Sequence, residues 1–204
     1  MKNSDGLPSS VGPQSDRSGS QLLVCETPIH DLYEVRGHSH SDSRGSLRRL
    51  FCVTELKPIM GDRRIVQVNH TLTKKSGAVR GLHFQHPPQA EMKLVSCIKG
   101  EVFDVAVDLR AGSPTFLQWH SIILSETNHA TFVIPEGFAH GFQALTTDCE
   151  LVYFHTADYD PETEGGLDAT DPRLLIHWPK PITQRSPKDM SYQSIQKGFL
   201  GLHL

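Results

Sequence analysis

From residue 50 onward the chain is a succession of short apolar runs, each closed by turn chemistry, and this rhythm limits the available folds more than any other feature. RIVQVNHTL alternates apolar and polar residues, the period of a strand with one buried face. KLVSCI, then KGE, then VFDVAVDL reads as two strands joined by a tight glycine turn. WHSIIL, ATFVIP, GFQAL and CELVYFHTA follow at intervals of roughly ten residues, a spacing typical of an all-β sandwich or barrel. The expected architecture is a jelly roll of about eight to ten strands, with a ligand in its open interior. Beyond Trp178, PKDMSYQSIQKGFLGLHL can hold a short helix, and no internal repeat is visible.

Residues 1–20 are dominated by Ser, Gly, Pro and charge, too few apolar groups to offset the entropy of ordering, and are read as a mobile tail. That leaves one structured domain, residues 21–204, a comfortable size for a single core. A formal net charge of -3 offers no general pull toward nucleic acid or anionic membrane, so neither is an expected partner. Any polyanionic ligand must instead meet a local cluster of Arg and Lys. No apolar run approaches the ~20 residues needed to span a bilayer, and the first residues lack the apolar stretch of a signal peptide. Cys25, Cys52, Cys97 and Cys149 are scattered without CxxC or zinc-like spacing, which suggests free thiols in a cytoplasmic protein. His38 and His40 of GHSHSDSRG are expected in a polar surface loop.

The chemistry concentrates in GAVRGLHFQHPPQAEMKLV and in later strands. Alternation in VRGLHFQ puts Arg80, Leu82 and Phe84 on one face and Val79, Gly81, His83 and Gln85 on the other. Arg80 therefore points away from His83 unless the strand bulges at Gly81. A single histidine in a strand is ordinarily a satisfied core residue, but His83 has company: Lys93, His140, Tyr153 and His155 all lie in or beside expected strands. An unpaired lysine is rarely placed in a core, because burying an ammonium is costly. Jelly rolls often hold a divalent ion between histidines, yet LHFQH and FAHGF contain no HxH with a following Glu in register, and Lys93 would oppose a cation. A proton-transfer site without a metal fits better. Histidine is suited to act as base near neutral pH, tyrosine as the opposing proton donor, lysine as stabiliser of a developing enolate, and arginine as a phosphate clamp.

The segments RGLHFQ, KLV, KGEVFDVAVDLR, GSPTF, IPEGFAHGF and DPRLLIHWP, in this order across about residues 22–190, closely resemble the dTDP-4-dehydrorhamnose 3,5-epimerase family. The resemblance implies a cupin-type jelly roll, generally a homodimer, that needs neither metal nor other cofactor and epimerises a nucleotide-linked 4-keto-6-deoxy sugar. It places the base on His83, the aspartate that orients it on Asp189 of SPKD, the acid on Tyr153, and the lysine near the ketone oxygen on Lys93. His140 falls in the matching active-site motif. Arg44 and Arg80 match arginines that hold the nucleotide diphosphate, and Gln67 and Asn69 of VQVNHT match a polar pair lining the pocket. The early strands around RGSLRRLF resemble a segment that the family gives to the neighbouring subunit's site.

The chain also departs from the family. Aromatic residues and an acid commonly follow the RG of the early arginine motif, where this chain has Ser46, Leu47 and basic residues. Two adjacent tyrosines are common before the Pro-Glu motif, where ADYDPE keeps only Tyr159, expected to bind substrate, beside Asp158. These differences bear on recognition of the thymine base and of the sugar, and leave His83, Tyr153 and Asp189 untouched. Inversion at C3 or C5 alone, a non-catalytic sugar-nucleotide-binding cupin, and a metal-dependent cupin isomerase or dioxygenase are the competing readings.

Overall fold

The strands that carry the chemistry fall into two facing sheets. The computed structural model describes residues 21–204, so the expected tail at 1–20 lies outside the described residues. One sheet has six strands in the order β1 (Leu22–Glu26), β2 (Tyr33–Gly37), β10 (Ala130–Ile134), β7 (Lys93–Lys99), β12 (Cys149–His155) and β5 (Gln67–Thr73). The other has five: β13 (Glu164–Gly166), β6 (Val79–Gln85), β11 (Phe138–Ala144), β8 (Glu101–Asp108) and β9 (Trp119–Ser125). Strand pairing within both sheets is antiparallel, and the pair makes the expected jelly roll. A separate hairpin, β3 (Ser39–Asp42) with β4 (Gly45–Arg48), occupies the stretch expected as a loop around His38 and His40.

Apolar material lies in three layers, which explains why several strands read as unbroken hydrophobic runs. Val95, Phe132 and Leu151 of the six-stranded sheet meet Val102, Ala106 and Phe142 of the five-stranded sheet in the central core. The outer face of the five-stranded sheet, with Leu82, Val105 and Val107, is covered by Leu167, Leu174, Ile195 and Leu202 of the C-terminal segment. Leu94 and Val133 on the other outer face are covered by Leu56 and Met60 of α1 (Val53–Met60). Sequence reading missed this helix, because Pro58 sits inside it and removes a backbone donor. Burial of Leu56 and Met60, one turn apart, outweighs that cost. The short helix expected near the C-terminus is α2 (Pro187–Ser191).

The expected hairpin KLVSCI–KGE–VFDVAVDL requires correction. β7 and β8 belong to different sheets, and the chain crosses between them at Gly100, whose φ of 76° favours glycine. Both strands are buried on both faces, so neither carries the one-sided alternation that distinguishes a surface hairpin from a corner. Among the described residues no helix is long and apolar enough to cross a membrane, and the four cysteines are unpaired.

Candidate active site

A cavity of about 600 Å³ opens between the two sheets near β5, β6, β7, β11 and β12. Its lining includes His83, Asp189, Tyr153, Lys93, His140, Arg80, Asn69 and Tyr159. Eight of the ten expected site residues therefore come together. Gln67 stands just behind, where its side-chain oxygen accepts a hydrogen bond from the backbone N–H of Tyr159 at 3.2 Å. Arg44 is not brought to the cavity within this chain: it lies exposed on the β3–β4 hairpin, paired with Asp42 at 2.6 Å.

Arg80 and His83 share the cavity because β6 breaks its alternation. His83 is opposite His140 and Arg80 is opposite Phe142, so the register shifts between these pairs. Gly81 has φ of 105°, and a Cβ there would come within 2.6 Å of the His140 carbonyl oxygen. A Cβ on Gly141 would meet the Arg80 carbonyl at the same distance. The two glycines let the backbones approach where the bulge forms, and the bulge turns Arg80 inward. Its guanidinium is tethered by neutral groups, the Thr73 hydroxyl at 3.0 Å and the Leu72 carbonyl at 3.2 Å.

His83 Nε2 lies 2.6 Å from Asp189 Oδ1, which leaves Nδ1 as the ring nitrogen not bound to the carboxylate. Asp189 comes from α2, where its backbone N–H donates to the capping hydroxyl of Ser186. Burial pushes this carboxyl upward, but the hydrogen bond and charge of His83, with Ser186 and the Gly81 backbone, hold it below the usual aspartate range. The Tyr192 ring stands edge-on to His83, 5.8 Å between centroids. A Cβ on Gly166 would fall 2.3 Å from that ring, so the glycine makes room for it.

Tyr153 faces His83 from the opposite sheet. Its ring stacks on His155 at 6.0 Å and meets His140 edge-on at 6.1 Å. Burial, then the charge of Asp104, push its phenol well above the ordinary tyrosine value, while Thr71 and Arg80 act the other way. The group is thereby kept a proton donor at neutral pH. His140 Nε2 bonds Asp104 Oδ1 at 2.7 Å, and burial raises the Asp104 carboxyl against the pull of His140 and Lys93.

Lys93 extends from the edge of the core with its side chain 8% exposed, beside Glu91 at 3.0 Å. Asp104, Glu91, Glu164, Lys188 and Tyr192 were not assigned roles from sequence. Asp104 carried a legible signal, since the alternation of VFDVAVD puts a charge on the same face as Val102 and Ala106. Glu164 and Lys188 form an ion pair at the rim, and the Tyr159 hydroxyl donates to Glu164 at 2.6 Å. Nothing local in the sequence joins these two segments. Among the described residues, no group of three His, Cys, Asp or Glu is placed to hold a metal ion.

Two antiparallel sheets enclosing a cavity with a His–Asp pair on one wall and a tyrosine on the other define a cupin-type jelly-roll protein with an acid–base site. The sequence model described as dTDP-4-dehydrorhamnose 3,5-epimerase matches residues 26–197. The dTDP-4-dehydrorhamnose 3,5-epimerase of Sinorhizobium fredii is 43% identical over 82% of this chain and 86% of its own length. The dTDP-4-dehydrorhamnose 3-epimerase of Streptomyces niveus is 36% identical over 79% of this chain and 78% of its own. A dTDP-6-deoxy-D-glucose-3,5-epimerase from Legionella pneumophila, solved in complex with dTDP-4-keto-L-rhamnose, superimposes with a TM-score of 0.82 at 39% identity, covering 90% of this chain and 99% of its own. The chain belongs to the dTDP-4-dehydrorhamnose 3,5-epimerase family.

Proposed function

We propose that the protein is an epimerase that inverts both C3 and C5 of a dTDP-linked 4-keto-6-deoxy hexose, the conversion of dTDP-4-dehydro-6-deoxy-glucose to dTDP-4-dehydro-rhamnose. The observation that carries this reading is the placement of His83 and Tyr153 on opposing walls of one cavity. A ketone at C4 acidifies the hydrogens on C3 and C5. His83, oriented by Asp189, takes one of these protons; the C–H electron pair becomes a C=C bond and the carbonyl π pair moves onto O4. Lys93 stabilises the enolate oxygen with its ammonium. Tyr153 then gives a proton to the carbon from the other face: the C=C pair forms the new C–H bond, the O4 pair re-forms the carbonyl, and the centre is inverted. His83 releases its proton to solvent and Tyr153 takes one back, restoring both groups. His140 stands beside Tyr153 and belongs to the sugar end of the pocket; Asn69 and Tyr159 line the same cavity. Arg80, whose guanidinium is held only by neutral groups among the described residues, is directed to the diphosphate as its charged partner.

The test is proton NMR of the 4-keto-6-deoxy sugar nucleotide in deuterated water with the protein. Deuterium entering both C3 and C5 with inversion supports the reading, and absence of exchange at either centre overturns it. Exchange at one centre alone supports single-centre epimerisation, which the Streptomyces niveus relative's name brings forward as the second reading.

The site is completed in a homodimer of a cytoplasmic protein. Leu47 on the hairpin is 74% exposed, and Val66, Val68 and Leu72 line the open edge at β5, apolar groups suited to a second copy. Arg44, on the same hairpin, would then reach the partner's diphosphate. Sedimentation showing a fully active monomer at assay concentration would overturn the dimer. Activity should survive prolonged chelation, and rescue of lost activity by a divalent ion would sink the metal-free mechanism.

A further inference from the structure

The buried partner of Lys93 has no part in the chemistry described so far. Glu91 reaches into the cavity from the segment leading into β7, with its side chain only 8% exposed. One of its oxygens lies 3.0 Å from Lys93 Nζ. The other lies 2.7 Å from Nδ1 of His155. His155 and Lys93 are directly opposite each other in the β7–β12 register. The far nitrogen of His155 lies 3.4 Å from the Asn69 amide, and its ring stacks on Tyr153. A single carboxylate therefore ties the lysine on one strand to the histidine that backs the tyrosine on the next.

We propose that Glu91 is a positioning residue which, braced by His155, holds the Lys93 ammonium charged and aimed at the O4 end of the substrate. This rests on the epimerase reading above. A buried ammonium with no counter-charge loses its proton readily or swings toward water, and in either case stops serving the enolate. Glu91 supplies the counter-charge without occupying the substrate's place. Its own carboxyl is pushed up by burial but brought below the usual range by Lys93 and His155, so it is an anion throughout the neutral range. The other groups around the lysine do not substitute for it. β12 brings Tyr153 and His155, and β11 brings His140. β8 brings Asp104, which bonds His140 through one oxygen and feels the charge of Lys93, but full burial pushes its carboxyl up, so it carries a negative charge less readily than Glu91. β10 sets Ile134 beside Lys93 in register, and β6 adds His83 and Arg80 across the cavity.

Glu91→Gln keeps the shape and removes the charge. The expected result is a fall in kcat of about tenfold to a hundredfold with KM within about threefold, because the enolate is affected more than the bound ketone. The alkaline loss of rate should begin at lower pH than in the wild type, a change that general loosening would not produce. In a Lys93→Met background, where residual deuterium exchange is the readout, Glu91→Gln should add no further loss. An unchanged kcat and pH profile, or an equal further loss without the lysine, would overturn the proposal. Glu91→Asp carries the test if Glu91→Gln does not fold: the charge stays and the reach shortens, so kcat should fall while the alkaline limb stays in place. A wild-type kcat in Glu91→Asp would overturn it equally. Absence of exchange in the wild-type protein would remove the epimerase reading and this inference together, whereas wild-type exchange with an unaffected Glu91→Gln removes this inference alone.

Discussion

His83 and Asp189 stand 106 positions apart in the chain and share a hydrogen bond of 2.6 Å. The histidine comes from the middle of β6, and the aspartate comes from a single helical turn in the segment that crosses the outside of the same sheet. The bond distinguishes the ring nitrogens: Nε2 faces the carboxylate, and Nδ1 is the one left to take the substrate's proton in the proposed epimerisation.

Asp189→Asn should preserve the fold and lower kcat by about 10²–10⁴, since the amide no longer stabilises the charged imidazole. Because the folded carboxyl lies below its usual value, its contribution to stability is complete above about pH 3.9 and disappears as pH falls through the lower folded value. Acid unfolding of the Asn variant should accordingly lose part of its dependence below pH ~4. Wild-type turnover in Asp189→Asn would remove the aspartate from the mechanism.

His83→Ala should abolish deuterium exchange and epimerisation together, because no proton leaves without the base. Tyr153→Phe should abolish inversion while some exchange with retention persists, since His83 can return a proton to the face it came from. Each loss should be about 10²–10⁴. Should Tyr153→Phe invert its substrate at the wild-type rate, the acid must be Tyr159 or an ordered water.

Phenol titration tests the same tyrosine independently. Burial raises Tyr153 far above its ordinary value, so ultraviolet titration of the four tyrosines should show one ionising last, and Tyr153→Phe should delete that component. Because the folded value is raised, the neutral phenol contributes stability in full below about pH 10, and this contribution fades as pH rises beyond it. Loss of an early-titrating component instead would contradict the burial assigned to Tyr153.

Arg80→Ala should weaken binding of a nucleoside diphosphate strongly, by about 1.5–3 kcal/mol, with little change in melting temperature. Calorimetric titration with dTDP measures this directly, and an unchanged affinity would make Arg80 a structural residue of the bulge.

Gly166→Ala probes the packing behind the base. The added methyl must displace the Tyr192 ring, which stands edge-on to His83. Overpacking of this kind typically costs about 1–3 kcal/mol. Stability should fall modestly and turnover more steeply, and a variant with normal turnover would show that Tyr192 does not govern the histidine.

Local periodicity made the all-β class and most strand positions legible. It could not assign strands to sheets, and the supposed hairpin of β7 and β8 shows why. Period-2 alternation reports which side of a strand is buried, but these two are buried on both sides and so carry no such mark. α1 was hidden for the opposite reason: Pro58 argues against a helix locally, and only the exposed sheet face beneath Leu56 and Met60 rewards forming one.

The site divides along the same line. Motifs were enough to nominate His83, Lys93, Tyr153, Asp189 and Arg80, because family resemblance is carried by residue identity in sequence order. Strict alternation sends Arg80 and His83 to opposite faces, and only the register shift opposite His140 and Phe142 brings both into the cavity. Glu91 and Asp104 take their meaning from Lys93 and His140 on neighbouring strands. The sequence by itself determined which chemical groups are available and, through their periodicity, that they are mounted on strands. The tertiary structure decided which groups meet, because a buried charge must find its counter-charge in space, and in an antiparallel sandwich that neighbour is set by sheet order and register.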